Sequence, residues 1–135
     1  MNIRGTFKEP SHRGRETEWK GSIRHSNGTI EGELTDCYGK SIIHGFMDKE
    51  VFMFTKQYEG RSDDLETIIF ALKKGPDEKW TGNWAYRIKL GSFTWLQENK
   101  ITDWSEARIT ALQITEIPSH AFGIYGGEAV CTLTE

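Results

Sequence analysis

Apolar and polar side chains alternate along most of this chain, and this period of two constrains the fold more than any other feature. In the stretch Trp19–His25, Trp19, Gly21 and Ile23 lie in one phase, while the positions of the other phase are polar. Strict alternation indicates a β-strand with one buried face. Asn27-Gly28 follows, and this dipeptide is a strong hairpin signal because a type I′ turn requires positive φ at both positions. Residues 16–36 are therefore predicted to form a β-hairpin.

The same alternation recurs in short segments separated by turn residues. Further strands are predicted at 2–8, 41–47, 51–58, 65–73, 80–88, 92–96 and 128–134. Turns are predicted at 37–39, 48–49 and 75–77, and polar loops at 59–64 and 118–127. Many short strands at regular spacing are typical of an antiparallel sandwich or barrel.

Glycines inside the strands favour a closed barrel over a sandwich. A mid-strand glycine is costly unless the sheet bends sharply or leaves room opposite a large side chain, and glycines recur at positions 5, 21, 32, 45 and 82. Closure also removes exposed sheet edges, whereas a sandwich needs longer crossing connections. We predict an all-β fold, an antiparallel up-and-down meander barrel of about eight to ten strands. The barrel is predicted to form a single domain over residues 1–135.

Residues 103–117 carry conflicting signals. Asp103-Trp104-Ser105-Glu106 fits a capping box, which favours the start of a helix. The β-branched residues that follow, up to Ile117, favour a strand. We expect at most one short helix, near residues 103–107, and then a strand to Ile117.

Charge and composition limit the classes of partner. The net charge is −3 and no basic stripe is present, which argues against nucleic acid as a partner. No apolar run approaches membrane-spanning length and the N-terminus lacks a signal-peptide core, so we expect a cytoplasmic protein with no membrane partner. Cys37 and Cys131 have no metal-like spacing and are expected to be free thiols. Exposed aromatic side chains favour a homodimer, although the sequence does not fix the oligomeric state.

The aromatic residues are the most informative candidates for a site. Two interpretations stay open: they wall a cavity for a flat or apolar ligand, or they form a solid core, because an eight-stranded barrel is just wide enough for side chains to fill. The candidate ligand-binding residues are Trp19, Phe54, Lys56, Tyr58, Trp80 and Trp84.

Lys56 is the one charged residue among these candidates. It lies in phase with Phe54 and Tyr58, and an inward-pointing lysine would need a carboxylate partner or a ligand anion. Alternatively the strand bends, and Lys56 emerges at the rim with its stem over apolar surface. We favour the rim position. Asp36 falls in a turn, where we expect a purely conformational role.

Two segments resemble strands of the avidin-like and lipocalin-like (calycin) small β-barrels. They are Gly28-Thr29-Ile30-Glu31-Gly32-Glu33-Leu34 and Trp80-Thr81-Gly82-Asn83-Trp84. Avidins carry a comparable Trp-x-Gly-x-aromatic strand whose tryptophan lines the ligand pocket. The resemblance implies a ligand-binding barrel with Trp80 inside and with Gly32 and Leu34 on an interior-facing strand. Leu34 stands where avidins place a tyrosine that bonds biotin, so the resemblance does not extend to biotin.

The sequence contains no motif that indicates a particular chemical reaction. We find no nucleophile elbow, phosphate-binding loop, zinc spacing or dinucleotide fingerprint, and we predict no catalytic residue, metal ligand or cofactor. Our first hypothesis is a barrel that binds a small hydrophobic or aromatic molecule. The second is a barrel enzyme with an interior Lys/Tyr pair, Lys56 and Tyr58. The third is a solid-core interaction domain that works through its rims or through Trp95 and Trp104.

Overall fold

Eight antiparallel strands form a closed up-and-down barrel, as predicted. The computed structural model describes residues 1–60, 67–90 and 104–135, with side chains for all of these except 88 and 104–106. Consecutive strands pair with each other, and the last strand pairs with the first. The strands are β1 (Asn2–Glu9), β2 (Arg15–Ser26), β3 (Thr29–Asp36), β4 (Gly39–Met47), β5 (Val51–Tyr58), β6 (Ile68–Lys74), β7 (Trp80–Tyr86) and β8 (Gly126–Thr134).

Short 3₁₀ turns and one helix complete the described chain. The 3₁₀ turns span Pro10–His12, Arg87–Leu90 and Ser119–Tyr125, and the helix α1 spans Trp104–Glu116. Strand β7 therefore ends two residues earlier than predicted. The predicted strand at 92–96 and most of the predicted loop at 59–64 lie outside the described residues. Within the described part of the chain, no helix is both long and apolar enough to cross a membrane.

Glycines allow the strands to approach closely and leave room for a large ring. Gly5 lies directly opposite Trp19 in the β1–β2 register. A Cβ atom at Gly5 would lie 2.2 Å from the carbonyl oxygen of Val130 and 2.7 Å from Cζ2 of Trp19. At Gly45 a Cβ would lie 1.9 Å from the carbonyl oxygen of Met53. Room opposite a large side chain, one of the two roles expected for mid-strand glycines, is thus confirmed at Gly5, whereas Gly45 allows the backbones of β4 and β5 to approach closely.

The predicted strand running to Ile117 is wrong, because residues 104–116 form the continuous helix α1. Ala107, Ala111 and Ile114 recur at helical spacing and are buried. They pack on the outside of the barrel against β5, β6 and β7. The helix propensities of β-branched residues are only about 0.5 kcal/mol less favourable than that of alanine, and burial of this apolar face outweighs them.

Aromatic rings fill the middle of the barrel. Phe54 and Phe70 stack with their ring centroids 4.8 Å apart, and Trp19 packs against them at 6.0 and 5.5 Å. Nearer the end that carries the β2–β3 hairpin, Phe52 meets Trp80 at 5.9 Å. We call this hairpin end the lower end. The upper end is the one that carries the β1–β2 and β3–β4 connections. In the middle and lower parts of the barrel, the rings pack against one another and form the core.

Candidate functional site

A cavity of about 590 Å³ lies at the upper end of the barrel. This volume falls in the range of small-molecule sites, which is about 300–1,000 Å³. Aromatic and apolar side chains make up most of the wall, and polar groups from several strands converge on it. The lining residues are Phe7, Glu9, Ser11, His12, Tyr38, Lys56, Tyr58, Ile68, Phe70, Trp84, Tyr86, Ile124 and Tyr125.

Lys56 forms a buried ion pair with Asp36 beside this cavity. The Lys56 Nζ lies 2.7 Å from Asp36 Oδ2, and the two side chains are 1% and 0% exposed. The favoured position of Lys56 at the rim is therefore wrong, and the alternative, an interior lysine with a carboxylate partner, is confirmed. Strand β5 keeps its alternation through this residue, so Lys56 points inward in the same phase as Phe54.

Three aromatic rings surround the Lys56 ammonium. Its Nζ lies 4.6 Å from the ring centroid of Tyr58, 4.9 Å from that of Phe7 and 5.5 Å from that of Phe70. Ring faces attract cations, and more strongly where water is excluded. Among the described residues, Asp36 accepts a hydrogen bond from Nζ. An ammonium group has three N–H donors, and the bond to Asp36 uses one of them.

Asp36 organises the upper end of strands β3 and β5. Its Oδ2 also accepts a hydrogen bond of 2.6 Å from the Tyr58 hydroxyl, while its Oδ1 accepts one of 2.8 Å from the Tyr38 backbone N–H. The expected, purely conformational role of Asp36 is therefore wrong, because the residue ends strand β3 and its carboxylate binds the side chains of Lys56 and Tyr58. Burial and the bond to Asp36 raise the pKa of Tyr58 well above its usual range. Burial lowers the pKa of Lys56, and the Asp36 carboxylate offsets part of this change.

Glu9 forms a second polar cluster at the same end. Its Oε2 accepts hydrogen bonds from Arg15 Nη2 at 2.8 Å and from the Thr17 hydroxyl, and its Oε1 accepts one of 2.5 Å from the Tyr38 hydroxyl. Burial raises the pKa of Glu9, but these bonds outweigh burial and hold the pKa below its ordinary value. Burial and the bond to Glu9 raise the pKa of Tyr38 to about 12. The cluster ties the β3–β4 turn to β1 and β2.

The structure divides the predicted ligand-binding residues into two groups. Lys56, Tyr58 and Trp84 line the cavity. Trp84 also fixes its own orientation, because its indole N–H donates a hydrogen bond of 2.8 Å to the Lys8 carbonyl oxygen. The other three predicted residues lie in the ring-filled core and do not line this cavity: Trp19, Phe54 and Trp80.

Trp19 has one further property. Its indole nitrogen is buried and has no hydrogen-bond partner among the residues that the structure describes. The side chain also borders a second cavity of about 590 Å³, lined on β1–β3 by residues that include Gly5, Thr6 and Asp36.

Sequence reasoning missed Glu9, Asp36 and Tyr38. For the two carboxylates the signal was present. Glu9 continues the phase of Ile3 and Phe7, and Asp36 continues the phase of Ile30 and Leu34. If the alternation is continued to the charged residues at the strand ends, Glu9 and Asp36 both point into the barrel. Tyr38 lies in a turn, where no periodicity applies.

Among the residues that the structure describes, the two polar clusters of the site are each balanced in charge. Asp36 is paired with Lys56, and Glu9 is paired with Arg15, so two carboxylates face two cations. Chemically, the arrangement brings a lysine amine, tyrosine hydroxyls and flat ring faces together in one cavity. In the described part of the chain, no group of three or more His, Cys, Asp and Glu side chains is arranged to hold a metal ion. Searches against protein-family models, curated proteins and solved structures found no match to this chain.

Proposed function

We propose that this protein binds a small planar aromatic molecule in the cavity at the upper end of the barrel. The observation that carries the proposal is the position of the Lys56 amine, which lines an aromatic cavity of ligand size and is held there by its bond to Asp36. Sites of this kind combine apolar walls with a few polar groups that set the orientation of the ligand.

The aromatic walls favour a flat ligand. Phe7 and Trp84 meet edge to face with centroids 5.6 Å apart, and Trp84 and Tyr86 do so at 5.8 Å. Rings held in this way expose faces and edges that suit another ring, and each such contact contributes about 0.5–1.5 kcal/mol beyond buried area. The avidin-like and lipocalin-like resemblance of the strands supports the same kind of function, at fold level only.

The charge balance favours a neutral ligand with a hydrogen-bond acceptor. Lys56 and Asp36 already neutralise each other, so a ligand anion would bring an uncompensated charge into a largely apolar cavity, which is costly. A carbonyl oxygen could accept a hydrogen bond from the Lys56 amine without changing the net charge. We therefore expect neutral aromatic carbonyl compounds to bind better than the corresponding carboxylates.

Binding can be tested with benzamide as the probe and benzoate as the charged comparison. In ¹⁵N-labelled protein, we expect benzamide to shift the Trp84 indole N–H resonance and benzoate to bind at least about tenfold more weakly. Ser11→Trp places a large ring at the cavity lining and should abolish the shift. Ser22→Trp adds the same ring at an exposed position on β2, away from the cavity, and should leave it unchanged.

Native mass spectrometry of protein purified from its natural host addresses the physiological ligand. A co-purifying molecule with an aromatic ring and a neutral acceptor would support the proposal. Repeated spectra of the bare chain, together with no benzamide-dependent shift at any cavity residue, would overturn it.

A further inference from the structure

We infer that Lys56 forms a reversible imine with aromatic aldehydes or ketones that enter the cavity. The inference rests on the proposed function and names a substrate class for the same site. Imine formation requires an amine beside a space for the carbonyl compound, a group that accepts the ammonium proton, and surroundings that exclude competing water. Each requirement corresponds to a feature of the site.

The proton acceptor is Asp36. Its Oδ2 lies 2.7 Å from Lys56 Nζ, within the distance of direct proton transfer. The Tyr58 hydroxyl and the Tyr38 backbone N–H hold the Asp36 carboxylate in place from both oxygens. The rings of Phe7, Phe70 and Tyr58 shield the amine from water, and burial lowers the pKa of Lys56, which favours the neutral nucleophilic form.

The chemical steps balance at these groups. Asp36 takes one proton from the Lys56 ammonium, and the neutral amine attacks the carbonyl carbon, so that a C–N bond forms. The carbonyl oxygen takes the proton from Asp36, giving a carbinolamine that is still protonated on nitrogen. Asp36 then takes one of the two protons on this nitrogen and passes it to the hydroxyl, which leaves as water when its C–O bond breaks. The nitrogen lone pair forms the C=N bond, and the imine keeps the last proton. An ammonium and an aldehyde thus become a protonated imine and one water molecule.

This reaction conserves the charge of the site. The protonated imine carries the same single positive charge as the ammonium that it replaces, so its ion pair with Asp36 is retained. A buried pair that loses one charge is strongly destabilised, and imine formation avoids that loss. The flat protonated imine, conjugated with an aromatic ring, also offers a cation to the faces of Phe7 and Tyr58.

The test uses benzaldehyde and sodium cyanoborohydride with the full chain, followed by peptide mapping. Reduction converts the imine into a stable secondary amine, whose position mass spectrometry locates. We expect the Lys56 peptide to be labelled to at least about ten times the extent of the Lys40 peptide. Lys40 is on the neighbouring strand, with about half of its side chain exposed (49%), and is the internal reference for an ordinary surface amine.

Matched variants and a ligand without a carbonyl group separate the two proposals. Lys56→Arg keeps the charge and should lose the label, whereas Lys40→Arg should leave labelling of Lys56 unchanged.

Benzyl alcohol has the shape of benzaldehyde but forms no imine, and its binding is followed through the Trp84 indole N–H resonance. If benzyl alcohol binds and Lys56 stays unlabelled while Lys40 is labelled, the imine is overturned and the proposed function stands. If neither compound binds and Lys56 stays unlabelled, both proposals fail. Mapping of the wild-type chain decides the question even if Lys56→Arg does not fold.

Discussion

Lys56 Nζ and Asp36 Oδ2 lie 2.7 Å apart between side chains that are almost completely buried. The two residues come from different strands, β5 and β3, which are not neighbours in the sheet because β4 separates them. The ion pair therefore spans the inside of the barrel wall and is part of both the core and the site. This double role makes its removal measurable in stability as well as in binding.

Lys56→Met should lower the free energy of unfolding by about 3–5 kcal/mol, because it leaves Asp36 buried without its cation. Lys40→Met is the matched control. Lys40 pairs with Glu33 at 3.3 Å at the exposed surface, where such pairs contribute up to about 1 kcal/mol. Denaturant unfolding of both variants gives the comparison. A double variant, Lys56→Met with Asp36→Leu, should recover most of the loss, and equal effects of the two single variants would contradict a buried pair.

Gly5→Ala should destabilise the barrel by about 1–3 kcal/mol through overpacking. The added Cβ would meet both the Val130 carbonyl oxygen and the Trp19 ring, so we also expect a changed near-ultraviolet circular dichroism spectrum. Gly14→Ala is the control. Gly14 has a φ of +72° with open space around its Cβ position, so this substitution should cost only about 1 kcal/mol of backbone strain and leave the spectrum unchanged. An unaltered spectrum for Gly5→Ala would argue against the described Gly5–Trp19 contact.

The strands and the closed barrel followed from the sequence because alternation, turn residues and mid-strand glycines all pointed to one architecture. The polar site was only partly predictable. Lys56 and Tyr58 lie in phase with apolar neighbours on β5. Glu9 and Asp36 also lie in the inward phase of their strands, but a charged residue at a strand end is not ordinarily expected to point into a barrel. Which carboxylate meets which cation depends on the curvature of the closed sheet, and periodicity within one strand does not contain that information.

Helix α1 shows a different limit. Its β-branched residues favour a strand when judged one at a time, while the face formed by Ala107, Ala111 and Ile114 becomes decisive only when the barrel presents an apolar surface to it. Asn83 adds a contact that no local pattern indicates, because its side-chain amide donates hydrogen bonds of 2.8 Å to the carbonyl oxygens of Ile114 and Ile117. Tertiary contacts, which local sequence preferences do not contain, therefore determine the secondary structure of this segment.

Glu9 should make the stability of the protein depend on pH below about 4.5. The pKa of Glu9 in the folded protein is lower than its ordinary value of 4.5. The ionised carboxylate therefore contributes fully to the free energy of unfolding above pH 4.5, and this contribution is lost as the pH falls through the folded-state pKa. Hydrogen bonds to charged groups contribute about 1.5–3 kcal/mol. We therefore expect Glu9→Gln to be less stable than wild type by about this amount between pH 5 and 7, and the difference to shrink at lower pH.

Urea unfolding measured from pH 7 down to pH 3 tests this expectation. Glu31→Gln, at an exposed position on β3, is the matched control and should stay within about 0.5 kcal/mol of wild type at pH 7. A difference between wild type and Glu9→Gln that is as large at pH 3 as at pH 7 would show that the stabilisation does not come from the ionised carboxylate.

Ala111→Leu and Ile109→Ala together distinguish a docked helix from a strand in this segment. Ala111 is fully buried against the barrel, whereas Ile109 is 62% exposed. In a helix, residues two apart point to different faces, so Ala111→Leu should cost about 1–3 kcal/mol through overpacking and Ile109→Ala should stay within about 0.5 kcal/mol of wild type. In a strand, positions 109 and 111 would share a face, and both substitutions would perturb the same packed surface. Comparable destabilisation by the two variants in thermal or denaturant unfolding would therefore contradict the helix, and a loss confined to Ala111→Leu would support it.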